Sequence, residues 1–326
     1  MFVTRTLPGG EGAESPLGRL QAACEVDVWE FPHPPPPEDV RARSAACSAI
    51  LTMLTERVDA GLLDACPTVR AVANMAVGYD NIDVDACTAR GVGVTNTPGV
   101  LTDATADMTW ALLLAAARRL PEGRDAIEDG AWGPWSPTWL LGHEVSGATL
   151  GIVGPGRIGA AVARRAAGFQ MRVLYAGRGE RPDFPGTWVD LDTLLATSDY
   201  VSVHVPLNEE TRGLCDAGFF ARMQPGAIFL NTSRGPVVDQ PALIAALEQG
   251  TIAGAGLDVM TPEPLPVDDP LLRAPRLVLA PHLGSATPAT RTKMAGLAVD
   301  GLLAVLRGER PAHLINPNAL SVRGSR

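Results

Sequence analysis

Three side chains of complementary chemistry stand far apart in the chain, each after a short apolar run. They are Arg234 in Asn231-Thr232-Ser233-Arg234-Gly235, Glu263 in Thr261-Pro262-Glu263-Pro264, and His282 in Pro281-His282-Leu283-Gly284. An imidazole titrates near neutrality, at about 6.5 when unperturbed, and a neighbouring carboxylate favours its charged form. A guanidinium fork suits a planar carboxylate and can polarise a carbonyl oxygen. Upstream, Gly154-Pro155-Gly156-Arg157-Ile158-Gly159 fits the pattern G-x-G-x-x-G. A proton donor, an anion anchor and a dinucleotide loop are the parts needed to put a hydride on a carbonyl carbon and a proton on its oxygen.

The elements around the glycine loop decide whether it is more than a turn. Leu150 to Val153 is a strand-like run that meets Gly154, after which Ile158, Val162 and Ala166 recur at helical spacing, and Met171 to Tyr175 follows as a second run. That is the order and length of a βαβ unit. In it Gly154 permits the tight turn, Gly156 lets the backbone approach a pyrophosphate, and Gly159 lets the helix pack close to the sheet. The helix N-terminus adds amide donors and the positive end of its dipole.

Further strands are expected at Tyr200 to Val205, Ala227 to Asn231, Gly254 to Val259 and Leu277 to Ala280, with a helix from Pro241 to Gln249 bounded by Gly250. The first hundred residues repeat the theme more weakly, with strands at Phe2 to Arg5, Glu25 to Trp29, Ala49 to Met53, Val69 to Met75 and Val92 to Thr95. Pro34 to Pro37 reads as a rigid extended surface loop. A long helix is predicted from about Thr102, after Pro98-Gly99, to Leu120, stopping at Pro121, and it is placed as a hinge. A final helix runs from roughly Thr290 to Leu306. The fold class is α/β: two Rossmann-like, doubly wound parallel-sheet domains, with a dinucleotide-binding domain (101–287) inserted into a discontinuous substrate-binding domain (1–100 and 288–326).

Composition narrows the partners. The chain has 326 residues and a net charge of −9, with no basic run, which argues against a nucleic-acid footprint. Five cysteines (Cys24, Cys47, Cys66, Cys87, Cys215) without a Cys-x-x-Cys pair suit reduced thiols better than a disulfide frame or a zinc site, and no metal is expected. The longest apolar run, Met108 to Ala117, is too short for a bilayer, and the start Met1-Phe2-Val3-Thr4-Arg5 has no signal-peptide core. A cytoplasmic location is the expectation.

The end of the second strand of the βαβ unit bears on which dinucleotide binds. A free ribose 2′-hydroxyl usually meets Asp or Glu there, whereas a 2′-phosphate prefers arginine. Here the strand ends Tyr175-Ala176-Gly177-Arg178, with no carboxylate before Glu180. NADP(H) is therefore preferred through Arg178, with NAD(H) possible.

With these motifs in hand, the chain resembles the D-isomer-specific 2-hydroxyacid dehydrogenases, and among them the glyoxylate and hydroxypyruvate reductases. The resemblance extends over nearly the whole length: Asn74-Met75-Ala76-Val77-Gly78-Tyr79-Asp80, Gly154 to Gly159, His204-Val205-Pro206-Leu207, Asn231 to Gly235, Gly256-Leu257-Asp258-Val259, and Pro281 to Thr287. It implies that Glu263 is the carboxylate partner of His282 and that Arg234 holds the substrate. It implies too that the backbone amides of Val77 and Gly78 cradle the substrate carboxylate. Leu54 is read as a pocket wall, with core packing the other reading. By the same resemblance Asp258 stands beside the nicotinamide, Thr105, Thr232, Pro206, Gly284 and Ser285 match cofactor or substrate contacts, and His204 lines the adenosine pocket. His33, His143 and His313 have no motif around them.

Two positions depart from the family's pattern. Pro155 stands where an aliphatic or small residue is more usual, and Gly177 stands where the family usually has Asp, a change that moves cofactor preference. Trp132, Trp135 and Trp139 crowd one segment, a density that suits a core or an interface. The resemblance implies a homodimer in which Trp139 closes the neighbour's pocket.

The expected activity is reduction of a small 2-keto acid, foremost glyoxylate to glycolate and hydroxypyruvate to D-glycerate. Alternatives are another small 2-keto acid, such as pyruvate or a branched analogue, and a nucleotide-sensing corepressor of the same fold. The acidic charge and Arg178 weigh against the latter.

Overall fold

The structure, a computed structural model, describes residues 1–323. The chain divides into two compact units, one comprising Met1–Leu101 and the described residues from Ala286 onward, the other Thr102–Ser285. Each is built on its own parallel sheet.

The first unit contains β1 (Phe2–Val3), β2 (Asp27–Val28), β3 (Ala49–Thr52), β4 (Ala71–Asn74) and β5 (Gly93–Thr95), in the order β2-β1-β3-β4-β5 with every pairing parallel. This is the doubly wound 2-1-3-4-5 order, whose switch point lies between β1 and β3. Its central strands are buried from end to end, as expected where helices cover both faces. Phe2, Ile50, Val72 and Val94 share a core with Leu62, Leu63, Val69 and Cys87. The helix Pro288–Leu306, capped by the Thr287 hydroxyl, packs on β3, β4 and β5.

The second unit contains β6 (Thr149–Val153), β7 (Arg172–Ala176), β8 (Thr187–Trp188), β9 (Tyr200–Val203), β10 (Ile228–Asn231), β11 (Gly254–Leu257) and β12 (Leu277–Leu279). The order β12-β11-β10-β9-β6-β7-β8, again all parallel, contains the Rossmann order 3-2-1-4-5-6, with its switch between β6 and β9. Because successive strand residues point to opposite faces, the chain sorts them into two cores. Leu150, Ile152, Tyr175, Tyr200, Ile228 and Leu230 pack with Trp110, Leu113 and Val162. Val153, Val201, Val203, Phe229 and Leu257 pack on the other face with Phe219, Phe220, Leu243 and Leu247. Each such fully buried large side chain contributes about 1.5–3 kcal/mol. The layers hold the strand ends rigidly, and the loops at those ends carry the candidate site.

Most strands begin or end one or two residues inside the expected bounds; β6 begins one residue earlier than expected, β7 is displaced by one residue toward the C-terminus, and β8 is not among the expected strands. Three expectations need correction. The helix from Thr102 ends at Ala117; Arg119 takes a left-handed φ of 52°, and a second helix, Leu120–Glu128, begins there. Pro121 lies in the first turn of that helix, where its missing amide costs no hydrogen bond. For the same reason Pro37 opens the helix Pro37–Ser44, so the proline run is not wholly an extended loop. A short helix, Asn318–Arg323, follows Pro288–Leu306, which is therefore not the final one. All five cysteines are free thiols.

Candidate active site

His282, Glu263 and Asp258 form one connected group at the C-terminal ends of β11 and β12. Asp258 directly follows β11 and is buried. One of its carboxylate oxygens accepts the Leu283 amide at 2.6 Å and the other the Gly284 amide at 2.7 Å, while its carbonyl accepts the His282 amide at 2.9 Å. His282 is thereby held at a left-handed φ of 56°, a conformation that non-glycine residues rarely adopt and that surrounding bonds must sustain. Burial pushes the Asp258 carboxyl above its ordinary value, against the lowering effect of the two amides.

Glu263 completes the arrangement. Its Oε2 lies 2.7 Å from Nδ1 of His282, and its Oε1 accepts the Met260 amide at 3.0 Å. Burial alone would raise its carboxyl, but the hydrogen bond and charge of His282, the Met260 amide and the charge of Arg234 outweigh it. The net position is below the ordinary value, so Glu263 is ionised at neutral pH. With Nδ1 turned to Glu263, Nε2 is the ring nitrogen on the far side from that carboxylate. A carboxylate fixed on one ring nitrogen sets the tautomer and orientation of the imidazole.

Arg234 reaches the same group from the end of β10. Asn231 shapes the turn: its Oδ1 accepts the Ser233 amide and hydroxyl at 2.9 and 2.7 Å, and its Nδ2 donates to the Arg234 carbonyl at 3.0 Å. Gly235 is dictated by space, since a Cβ there would lie 1.8 Å from the Met260 carbonyl oxygen. The Arg234 turn thus abuts the residue whose amide holds Glu263. Thr232, the first residue of that turn, shares a 2.9 Å hydroxyl contact with Thr109, and Thr105, one helical turn earlier, lies beside Gly284.

The glycine loop occupies the switch point of the same sheet. Gly154 has φ of 97°, and a Cβ there would meet the His204 carbonyl at 2.7 Å. Gly159 packs against the Gly154 carbonyl. At Gly156 the same added carbon would meet nothing within 4 Å, so that face of the loop is open. Gly156 also caps the helix Arg157–Ala166 without any side-chain hydrogen bond, the arrangement that presents helix amides to a phosphate. Arg157 and Arg178 are exposed and Ile158 is half-buried. These features fit a dinucleotide pyrophosphate. His204 bonds through Nε2 to Ser202 at 2.8 Å, and burial pushes its pKa down to about 3. It is therefore neutral at physiological pH. Pro206 is exposed, and its carbonyl accepts the Thr211 hydroxyl at 2.6 Å.

In the first unit, Val77 and Gly78 follow β4. The Ala76 carbonyl accepts the Thr97 amide at 2.8 Å, and the Val77 carbonyl accepts Nδ2 of Asn96 at 2.7 Å. In a planar trans peptide the N–H points opposite to the carbonyl, so these two bonds aim the amides of Val77 and Gly78 together to the other side. Asn74 takes the Gly78 carbonyl at 2.7 Å, and Asn81 bonds the carbonyls of Met53 and Glu56 at 2.9 and 2.8 Å. Glu56, buried, accepts the Met53 amide at 2.8 Å, so the turn carrying half-buried Leu54 is tied at both ends.

Asn74, Asn81, Asn96 and Glu56 did not emerge from the sequence as site residues. Their signal was present: polar side chains after apolar strands, which burial tolerates only when hydrogen-bonded. Ser285 is half-buried at the end of the second unit. Trp132, Trp135 and Trp139 lie 65%, 86% and 43% exposed on an irregular arm, so they form no core. Among the described residues no group of three or more His, Cys, Asp or Glu could hold a metal ion, and no helix is long and apolar enough to cross a membrane.

Comparison with known proteins agrees with this geometry. Residues 110–284 match the D-isomer specific 2-hydroxyacid dehydrogenase, NAD binding domain family. The chain is 49% identical over 328 residues to a glyoxylate reductase of Korarchaeum cryptofilum, covering 99% of this chain and 97% of that one. It superposes with a TM-score of 0.90 and 45% identity on a Thermus thermophilus crystal structure, covering 96% of this chain and 99% of that one. The NADPH-dependent glyoxylate/hydroxypyruvate reductase of Sinorhizobium meliloti, solved with NADP and malonate, superposes with a TM-score of 0.82 at 33% identity, covering 98% and 96%. A carboxylate–imidazole pair beside an arginine, on a Rossmann sheet with an open glycine loop, and these matches place the chain in the D-isomer specific 2-hydroxyacid dehydrogenase family.

Proposed function

We propose that the protein reduces small 2-keto acids to D-2-hydroxy acids, glyoxylate to glycolate and hydroxypyruvate to D-glycerate, with NADPH preferred over NADH. The observation that carries this reading is the 2.7 Å contact of Glu263 with Nδ1 of His282, close enough to Arg234 for that charge to act on Glu263. The identity to curated glyoxylate reductases supports the substrate class.

The bound nicotinamide supplies the hydride. Arg234 takes the 2-keto acid through its guanidinium and polarises the carbonyl oxygen, and the amides of Val77 and Gly78 receive the carboxylate. His282, protonated and held by Glu263 at Nδ1, gives the Nε2 proton to the carbonyl oxygen as the carbon is reduced. In oxidation the neutral ring takes that proton back. Leu54, Ser285 and Trp139 bound the substrate, Trp139 from a second copy of the chain in a homodimer that covers the exposed tryptophan arm. Gly154 to Gly159, Thr105, Thr232, Pro206, His204, Asp258 and Gly284 hold the dinucleotide. Arg178 binds the 2′-phosphate.

The test is steady-state reduction of glyoxylate, hydroxypyruvate and pyruvate, each with NADPH and NADH, followed by the loss of reduced-nicotinamide absorbance. Rapid NADPH-linked turnover of the first two is the expected result. Turnover of pyruvate alone would overturn the substrate assignment.

A further inference from the structure

The two departures from the family's pattern, Pro155 and Gly177, touch each other. A Cβ built on Gly177 would lie 2.6 Å from Cδ and 3.0 Å from Cγ of the Pro155 ring. Gly177 does not have a positive φ, so its backbone conformation would accept an ordinary side chain; the proline ring excludes one. That ring has little freedom to withdraw. The Gly154 amide bonds the Ala176 carbonyl at 3.0 Å, and the Gly156 amide bonds the Gly154 carbonyl at 2.8 Å, so the loop carrying Pro155 is fastened to the strand that ends at Gly177.

The Pro155 carbonyl has a second function, accepting Nη1 of Arg181 at 2.8 Å. Arg181 is positioned from its backbone as well: the Tyr175 hydroxyl accepts its amide at 2.7 Å and donates to its carbonyl at 3.1 Å. A guanidinium carries five N–H donors, of which Pro155 engages one. The end of β7 thus has no room for a carboxylate at 177 and has Arg178 and Arg181 close by in sequence, both exposed.

We propose that Pro155 and Gly177 form one coupled specificity element: the proline ring bars the acidic side chain that would read a ribose 2′-hydroxyl. Its carbonyl brings Arg181 to the loop, where it joins Arg178 in binding the 2′-phosphate of the adenosine. This rests on the NADPH preference proposed above, but the steric coupling can be read independently of it.

The test is a double-mutant cycle. Wild type, Gly177→Asp, Pro155→Ala and the double variant are compared by equilibrium binding of NADPH and NADH and by thermal unfolding without ligand. Pro155→Ala removes the two ring atoms that clash and keeps the carbonyl that Arg181 uses. Gly177→Asp alone should lower Tm by several degrees and gain no NADH affinity. In the double variant Tm should recover, NADH should bind about tenfold more tightly than in Gly177→Asp, and NADPH about tenfold more weakly than in wild type.

Gly177→Ala, made in wild type and again in the Pro155→Ala variant, reads the steric coupling through Tm without a new charge, should the aspartate variants fail to fold. Equal Tm losses from Gly177→Ala in both backgrounds, or a full NADH gain from Gly177→Asp alone, would overturn the coupling. Wild type binding NADH as tightly as NADPH, with the Tm coupling intact, would overturn the NADPH reading and the roles of Arg178 and Arg181 but not the steric pair. Arg181→Ala should weaken binding of adenosine 2′,5′-bisphosphate several-fold and leave AMP unchanged; equal effects on both would remove Arg181 from the proposal.

Discussion

The Asp258 carboxylate and the backbone of His282 are coupled through adjacent amides. With both oxygens on Leu283 and Gly284, and its carbonyl on the His282 amide, Asp258 sets the turn from which the imidazole projects. Asp258→Asn would offer a donor where the turn needs an acceptor. The expected outcome is a loss of about 1–3 kcal/mol of stability and a lower kcat, with calorimetry and steady-state rates as the checks. Unchanged Tm and kcat would show that the turn holds without it.

His282→Ala should lower kcat/KM for 2-keto acid reduction by about 10²–10⁴, the usual range for losing a positioned general acid. Arg234→Lys keeps the charge and loses the planar fork, so KM for the keto acid should rise steeply while Kd for NADPH stays near wild type. Both are read by steady-state kinetics beside cofactor titration.

Glu263→Gln removes the negative charge on Nδ1 of His282. Reduction needs the imidazole held in one orientation at that nitrogen, so kcat/KM for the keto acid should fall, read by steady-state kinetics. Stability carries its own sign. The folded-state Glu263 carboxyl lies below its ordinary value of 4.5, so its contribution is present above that value and lost as pH falls through the lowered one. Acid titration of Tm should therefore fall more steeply for wild type than for Glu263→Gln.

Asn96→Ala frees the Val77 carbonyl and with it the direction of the Gly78 amide. KM for the keto acid should rise several-fold at constant Kd for NADPH. An unchanged KM would show that the Thr97 and Asn74 bonds suffice to hold the loop.

Arg178→Ala should weaken NADPH far more than NADH, measured as the ratio of the two Kd values. Equal affinity changes for the two cofactors would leave Arg178 without a role in choosing between them.

Much of this was legible in the linear order of residues. Alternating strand and helix patterns implied two parallel sheets, because apolar runs such as Tyr200–Val203 cannot remain in water and their connections are long enough only for crossovers. Arg234, Glu263 and His282 could be named because each sits in a short motif at a strand end. Helix boundaries at Pro121 and Pro37 were less legible, since a proline reads equally as a stop and as a first turn until the neighbouring backbone is known.

Contacts between residues distant in the chain were decided only by tertiary structure. Asp258 reads in sequence as an acidic strand end and, by resemblance, as a neighbour of the nicotinamide, but only packing of β11 beside β12 sets its oxygens on the His282 turn. Asn96 reaches Val77 because β4 and β5 lie side by side. Pro155 and Gly177 appear as two separate departures until the pairing of β6 with β7 brings them into contact. Residue type and local period settle what a segment can form, since burial and backbone geometry act along the chain. Which side chains share space is settled by sheet order and register, which arise only when strands distant in the chain pair.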